Sequence, residues 1–580
     1  MKHSMTTGHR MRRTGLRVAM GAGLLASLAG VYAFRSLTAR PGEGALRFVP
    51  ADALAVVSID LSPSASQTVA FKKIDDALAR NGFDGMVEKS LIDIFDGGTP
   101  GADALRPLTT RSGAVALLPG ADGTMKQAKG LALLAVTDGA AAQAALDKFG
   151  AVQYYKGAKC YKFKNGKSSY MLEGDTLLVG ENPASLYRAR QVISGAAPAI
   201  TADAQFNGAR THVADDANIK LFVSPKLMSS PEMQQASGMM RDWMAVGVAI
   251  RDGGIGVSYA SLVDLTKQPA LAQMGQIPGI RSDLFKVLPA GAYGATVLSQ
   301  PATYFESVEG KLREDKNVQK EMSEMEESLQ KETGMDFRKD VLPAFKGNAV
   351  VAAYPASTGA AAGADLLIVL DDSNGADPAN ATERFRNWVE RQMEKEGKQQ
   401  GPLWTDRQAE GAHFFRISDK VEADLRKSMG EGMDANQINK SALVDSKTVA
   451  WAVVGRAVLA STNQQLLDRA VQSYQHGVGG LETDPKFGPI EKDLVDGSQQ
   501  IMMFSLSRIA EGVKNTVNTS KMDKDGRGIF ESVLDAFANL DQPLTIKGKM
   551  QSDGRASGGM FIPLDYDKLL DFAGKMKNKK

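Results

Sequence analysis

The side chains here that could attack, shuttle a proton or ligate a metal are few and scattered. The histidines are His3, His9, His212, His413 and His476, and the only cysteine is Cys160. No His-Glu-x-x-His places two zinc ligands on one helical face. One thiol cannot build a zinc or iron–sulfur site, and no intrachain disulfide can form. Cys160 sits in Lys-Cys-Tyr-Lys-Phe, which reads as a strand, so a half-buried small residue is expected and an activated thiol is the alternative. No Gly-x-Ser-x-Gly turn exposes a nucleophilic serine. A Ser-His-Asp group converges in space rather than sequence, so a hydrolase site on one of the last three histidines stays open.

Adjacent acids occur at Asp75-Asp76, Asp215-Asp216 and Asp371-Asp372. General acid–base work needs two carboxylates at a set separation across a cleft, which adjacency does not supply. Asp371-Asp372 closes a predicted strand, where capping or turn formation is the simpler role. The run Asp523-Lys524-Asp525-Gly526-Arg527 imitates the start of a calcium loop. Its fifth and twelfth positions, which must offer oxygen, are Arg527 and Leu534, so a polar turn before a helix is expected instead. There is no P-loop, and Gly254-Ile255-Gly256 falls in a predicted hairpin rather than between strand and helix. No cofactor and no metal site is expected.

The most suggestive noncatalytic feature is rich in methionine. Met228, Met233, Met239, Met240, Trp243 and Met244 fall in a stretch read as a helix pair. Flexible thioethers can line an adaptable apolar groove for a lipid-like ligand, or they can simply fill a core.

The elements that would position these residues repeat. Gly174–Ala189, GDTLLVGENPASLYRA, matches Gly455–Ala470, GRAVLASTNQQLLDRA, at an offset of 281. Each reads as turn, apolar strand, polar Asn and helix start. The same offset carries Asp203 and Phe206 onto Asp484 and Phe487. Val49-Pro50-Ala51 pairs with Leu288-Pro289-Ala290 at a smaller offset, each opening a strand. Both copies close on an Asp-Gly reverse turn, Asp252-Gly253 and Asp553-Gly554. Strands in direct succession, mixed with amphipathic helices, predict an α+β fold: two tandem copies of a mixed helix and antiparallel-sheet domain. The expected organisation is a basic segment over 1–17, an apolar helix over 18–34, a first repeat over 45–264, a linker over 265–281, a second repeat over 282–574 and a basic tail over 575–580.

The chain has 580 residues, too many for a single core. Residues 1–40 hold seven basic side chains and no acid, so the rest of the chain, out of 69 basic and 67 acidic residues in all, is acidic by five. A mildly acidic body argues against nucleic acid as a partner. The uncharged run VAMGAGLLASLAGVYAF over 18–34 is about 25 Å long as a helix, and its arginines can snorkel to the headgroups. It reads as a single-pass anchor with the N-terminus in the cytoplasm and the body outside. The alternative is a signal peptide, cleaved after Ala29 or Ala33, and a secreted body.

FVPADALAVVSIDL over 48–61 and TGMDFRKDVLPAFKGNAVVAA over 333–353, with the strands ALLAVTD and DLLIVLDD, resemble the bacterial family called domain of unknown function three-three-five-two. The resemblance spans residues 45–575. It implies an N-terminal membrane segment and carries no catalytic residues. Together these readings predict a noncatalytic binding or scaffold protein of the bacterial envelope, with membrane contact through residues 18–34 and an envelope protein as partner. A carrier or sensor of a lipid-like ligand, and a hydrolase with an unrecognised site, are the alternatives.

Overall fold

The computed structural model describes most of residues 43–571. Outside the described residues lie 1–42, 82–103, 231–240, 357–363, 396–402, 419–448, 518–523 and 572–580, with shorter breaks of one to four residues. The apolar segment 18–34 and the basic tail therefore fall outside them. Among the described residues no helix is long and apolar enough to cross a membrane.

The fold is α+β, with antiparallel sheet and helices. It divides into two compact units, one running to residue 267 with 555–559 and 564 onward, the other holding 268–554 with 560–563. The first unit contains β1 (Ala55–Asp60), β2 (Thr109–Leu118), β3 (Lys129–Val136), β4 (Gly150–Tyr155), β5 (Ala158–Phe163), β6 (Ser169–Glu173), β7 (Thr176–Gly180), β8 (Ile219–Val223), β9 (Arg241–Arg251) and β10 (Gly254–Val263). All its pairings are antiparallel and run β4-β5-β6-β7-β3-β2-β1-β8-β9-β10.

The second unit contains β11 (Gly294–Ser299), β12 (Asn348–Pro355), β13 (Ala364–Leu370), β14 (Trp404–Ala409), β15 (Ala412–Ile417), β16 (Ala450–Val454), β17 (Ala457–Ser461), β18 (Gln500–Phe504) and β19 (Leu544–Met550). Its antiparallel order is β14-β15-β16-β17-β13-β12-β11-β18-β19. The chain then turns into β20 (Arg555–Pro563), whose residues are divided between the two units.

Local chemistry explains the joints. Gly174 and Gly455 take φ of +59° and +62°, a left-handed conformation that glycine adopts without strain, and so close the β6–β7 and β16–β17 turns. Each hairpin then meets a helix whose first free N–H groups are capped by asparagine. Asn182 accepts from the Ser185 N–H at 3.0 Å, and Asn463 accepts from Gln465 at 2.9 Å and Leu466 at 3.2 Å. The helices Pro183–Ile193 and Gln464–His476 bury one apolar stripe each, Leu186, Ala189 and Val192 in the first, Leu466, Leu467, Ala470 and Val471 in the second. These stripes meet the inward side chains of the sheet, such as Val56, Leu133 and Phe222 in one unit and Val297, Val350 and Leu367 in the other.

Two expectations are corrected. The helix pair expected across 228–244 does not form over its described part: a single turn, Pro225–Met228, is followed by β9, which holds Trp243 and Met244. The run WMAVGVAI alternates in burial and is rich in residues that suit a pleated surface. The polar turn expected before FESVLDAFANL is absent from the described residues, because the helix there already starts at Lys524.

A buried carboxamide sets the entry to a central strand in each unit. Asn218, 3% exposed, accepts from the Ile250 N–H at 2.8 Å and from Gln67 Nε2 at 3.0 Å, and its own amide donates to Asp60 O at 3.2 Å. Gln499, also 3% exposed, accepts from the Met550 N–H at 2.8 Å. Its Nε2 donates to Ile277 O at 2.6 Å, Met550 O at 3.0 Å and Met274 O at 3.2 Å. Removing a side chain that satisfies several buried backbone groups costs about 3 kcal/mol. Gln499→Ala should lower the unfolding free energy of the second unit, read by denaturant titration, by that amount and speed amide exchange at Met550. An unfolding free energy within about 0.5 kcal/mol of the parent would show that water replaces the amide.

Candidate functional site

Several of the groups that sequence singled out for chemistry are held in structural contacts. The His212 ring stacks on Trp243 at a centroid distance of 6.0 Å, and Arg555 lies 3.2 Å from its Nε2. An arginine at that nitrogen is not the nucleophile a triad needs. His413 faces Asp406 at 3.1 Å across the β14–β15 pair. Asp216 takes two bonds from Arg251, both 3.0 Å. Asp371, 1% exposed, organises a turn: it accepts from the Asn348 N–H at 2.6 Å, Asn348 Nδ2 at 2.8 Å and Ser373 Oγ at 2.6 Å. Cys160 is fully buried in β5, and burial pushes its thiol up. Its sulfur lies 3.6 Å from Gln153 O, so the half-buried reading understates its packing. Among the described residues no cluster of His, Cys, Asp or Glu could hold a metal ion.

The methionine-rich group is split. Met228 is 2% exposed and packs with Leu54, Val223 and Leu227, and Met244 joins that cluster partly buried. Trp243, next along β9, points to the opposite face and is 5% exposed in the main core of its unit. Met233, Met239 and Met240 lie outside the described residues. A cavity near Ala245, walled by Val56, Phe206, Val213 and Phe222, has a volume of about 10 Å³. That is room for one water, not an acyl chain.

Sequence reasoning missed a polar group on the first unit. Gln143 and Asp147 stand one helical turn apart on the helix Gly139–Phe149, opposite Lys159 and Tyr161 of β5. Tyr161 is 2% exposed and donates to Asp147 at 2.5 Å, Gln143 donates to the Tyr161 hydroxyl at 2.5 Å, and Lys159 donates to Asp147 at 3.1 Å. The tyrosine bond, then those of Gln143 and Lys159, hold the Asp147 carboxyl down at about 2. With its hydroxyl enclosed, Tyr161 clamps helix to strand rather than serving a substrate.

It also missed an apolar surface on the second unit. In β13 the side chains alternate, Leu367 and Val369 wholly buried, Leu366 and Ile368 exposed by 41% and 40%. Ile368 lies opposite Val351 of β12, itself 48% exposed, and Ala353 lies opposite Leu366. The row continues through Thr296 to Met502 and Ile546 on neighbouring strands. The sign was the unbroken run LLIVL, which is apolar on both parities where a one-sided strand would alternate. Such a face can bind by excluding water and has no chemistry of its own.

Fold and site thus define an antiparallel α+β protein with an exposed apolar sheet face. The chain belongs to the family described as Protein of unknown function (DUF3352), which it matches over residues 18–409. No curated protein matches it. Among solved structures, crystal forms I, IV and III of TP0453 are similar over 40–42% of this chain and 85–89% of theirs, at 10–12% identity and TM-scores of 0.22–0.24. That likeness is too distant to carry an argument.

The Asp147 contacts make an acid-side prediction. A carboxyl held below its ordinary value of 3.8 contributes stability above that pH and loses it as pH falls through about 2. Asp147→Asn should therefore flatten the pH dependence of unfolding of the first unit between about pH 4 and 2, read by circular dichroism in urea. An unchanged acid limb would refute the clamp.

Proposed function

We propose that this chain is a noncatalytic binding or scaffold protein of the bacterial envelope. In this reading residues 18–34 hold it at the cytoplasmic membrane, with the body on the outer side, and the body is one domain used twice. Duplication is supported by the strand orders, which become the same when ten is subtracted from each label of the second unit. It is supported again by the two carboxamides: Asn218 and Gln499 differ by the repeat offset of 281, and each accepts from a backbone N–H of the next strand, Ile250 or Met550. The address rests on the charge-free run 18–34 behind five basic residues and on a family match that begins at residue 18.

The observation that carries the binding role is the row Val351, Leu366 and Ile368, exposed by 40–48% in mid-sheet. Exposed apolar side chains grouped on one face mark interaction surfaces. A protein partner suits this face better than a lipid-like ligand, because a sheet surface is shallow and a lipid carrier needs an enclosing cavity. The lipid reading keeps the same face as its site in place of the methionine group.

A photo-crosslinking residue at position 368 of the full chain, activated in native membranes, should give one dominant protein adduct. The same residue at Lys339, whose side chain is 82% exposed, should not. Adducts to lipid alone would favour the carrier, and a smear equal to that of the control would end the binding role. Separately, protease added to intact spheroplasts should cut beyond Arg40. A body shielded until lysis would overturn the address.

A further inference from the structure

The β4–β5 hairpin of the first unit presents a second, different surface. Strand β4 pairs with β5, and among the described strands it lies at the end of the order. Its outward side chains are Val152, 49% exposed, and Tyr154, 72% exposed. Phe149, at the end of the preceding helix, is 38% exposed. Residues 148–163 contain four lysines, Lys148, Lys156, Lys159 and Lys162, and no acid, with Lys159 paired to Asp147 just before them at 3.1 Å. Lys148 lies over the Phe149 ring at 4.9 Å, Lys159 stands opposite Tyr154 in the register, and Lys156 sits in the turn.

Lysines on an edge strand by themselves only discourage pairing with another strand. They do not explain an aromatic ring left 72% exposed beside them. Tyrosine with an apolar neighbour and a rim of lysines matches the bilayer interface, where the ring sits at headgroup level and ammonium groups meet lipid phosphates. The same lysines oppose a second copy of the hairpin, which would bring like charges together. The described chain starts at Glu43, nine residues after Phe34, so an anchored segment 18–34 keeps this unit close to a membrane.

We propose that the β4–β5 hairpin, through Tyr154, Val152 and Phe149 flanked by Lys148 and Lys156, docks on an anionic lipid surface. The proposal rests on the membrane address above. Each lysine near an anionic surface strengthens association about fivefold.

The test uses the full chain in nanodiscs, either phosphatidylcholine alone or phosphatidylcholine with an equal part of phosphatidylglycerol, followed by hydrogen exchange. Peptides covering 148–163 should exchange at least fivefold more slowly on the anionic discs. Salt at 0.5 M should remove the difference, since screening then acts within a few ångströms. Lys156→Glu and Tyr154→Ser should each remove it while peptides of β3 exchange as in the parent. Equal exchange on both discs would overturn the docking site. So would protection that grows with protein concentration in detergent without lipid, which would mark a second copy as occupant. Failure of the chain to enter phosphatidylcholine discs at all would instead sink the anchor.

Discussion

Strand register is the constraint on which the rest of this protein depends. In a sheet with one packed face, a slip of one residue turns every inward side chain outward. In the first unit Val57 stands opposite Leu221, and Phe222 next to it belongs to the core. Asn218, one residue before β8, is bonded to the strands on both sides: its carbonyl oxygen accepts from Asp60 at 2.7 Å and its N–H donates to Val248 at 2.8 Å. The side-chain bond from Ile250 adds a third fixed point. Any slip would leave this amide buried and unpaired. In the second unit Gln499 does the same with its longer side chain, bonding Ser299 and Gly548 through its backbone and Met550 through its amide. The extra methylene also lets it reach the carbonyls of Met274, at the end of the helix Leu271–Met274, and of Ile277, where the first unit brings in Gln67 from the N-cap of the helix Thr68–Arg80. The two locks share a position and a purpose but close differently.

Much of this architecture was legible because its signals are local. The turn at Gly174, the cap at Asn182 and the apolar strand between them lie within nine residues, and their counterparts at 455–463 show the same pattern. The class of fold follows from strands succeeding one another. What was not legible depends on pairing between distant segments. Gln143 and Asp147 show a helical spacing and Lys159 and Tyr161 a strand spacing, but only the folded sheet brings the four together. The misreading at 241–244 has a different cause. Met favours helix and Trp favours strand, and over so short a run the period that separates the two is set by Val246, Val248 and Ile250 further on.

The contrast between the two faces of β13 explains why the surface carries the functional reading. Leu367 and Val369 are wholly buried, so their contribution to folding is complete. Leu366, Ile368 and Val351 keep nearly half their area in water, and burying it would return about 25 cal/mol for each Å² of apolar surface. By comparison, three of the acids named above are already engaged, Asp371 by Asn348 and Ser373, Asp216 by Arg251, Asp147 by Tyr161 and Lys159.

A weak lysine-rimmed patch and a membrane anchor reinforce each other in the proposed arrangement. Two lysines at about 1 kcal/mol each correspond to a dissociation constant of several millimolar once the aromatic ring is added, too weak to recruit a free protein. In the proposed arrangement only eight residues, 35–42, separate the anchor from Glu43, and anchoring would hold the patch at an effective concentration in the millimolar range. Contact would then be made for a substantial share of the time without any tight site. Its consequence would be orientation rather than attachment: the first unit lies with its β4 edge toward the lipid, and the direction in which the rest of its sheet faces follows from that one contact.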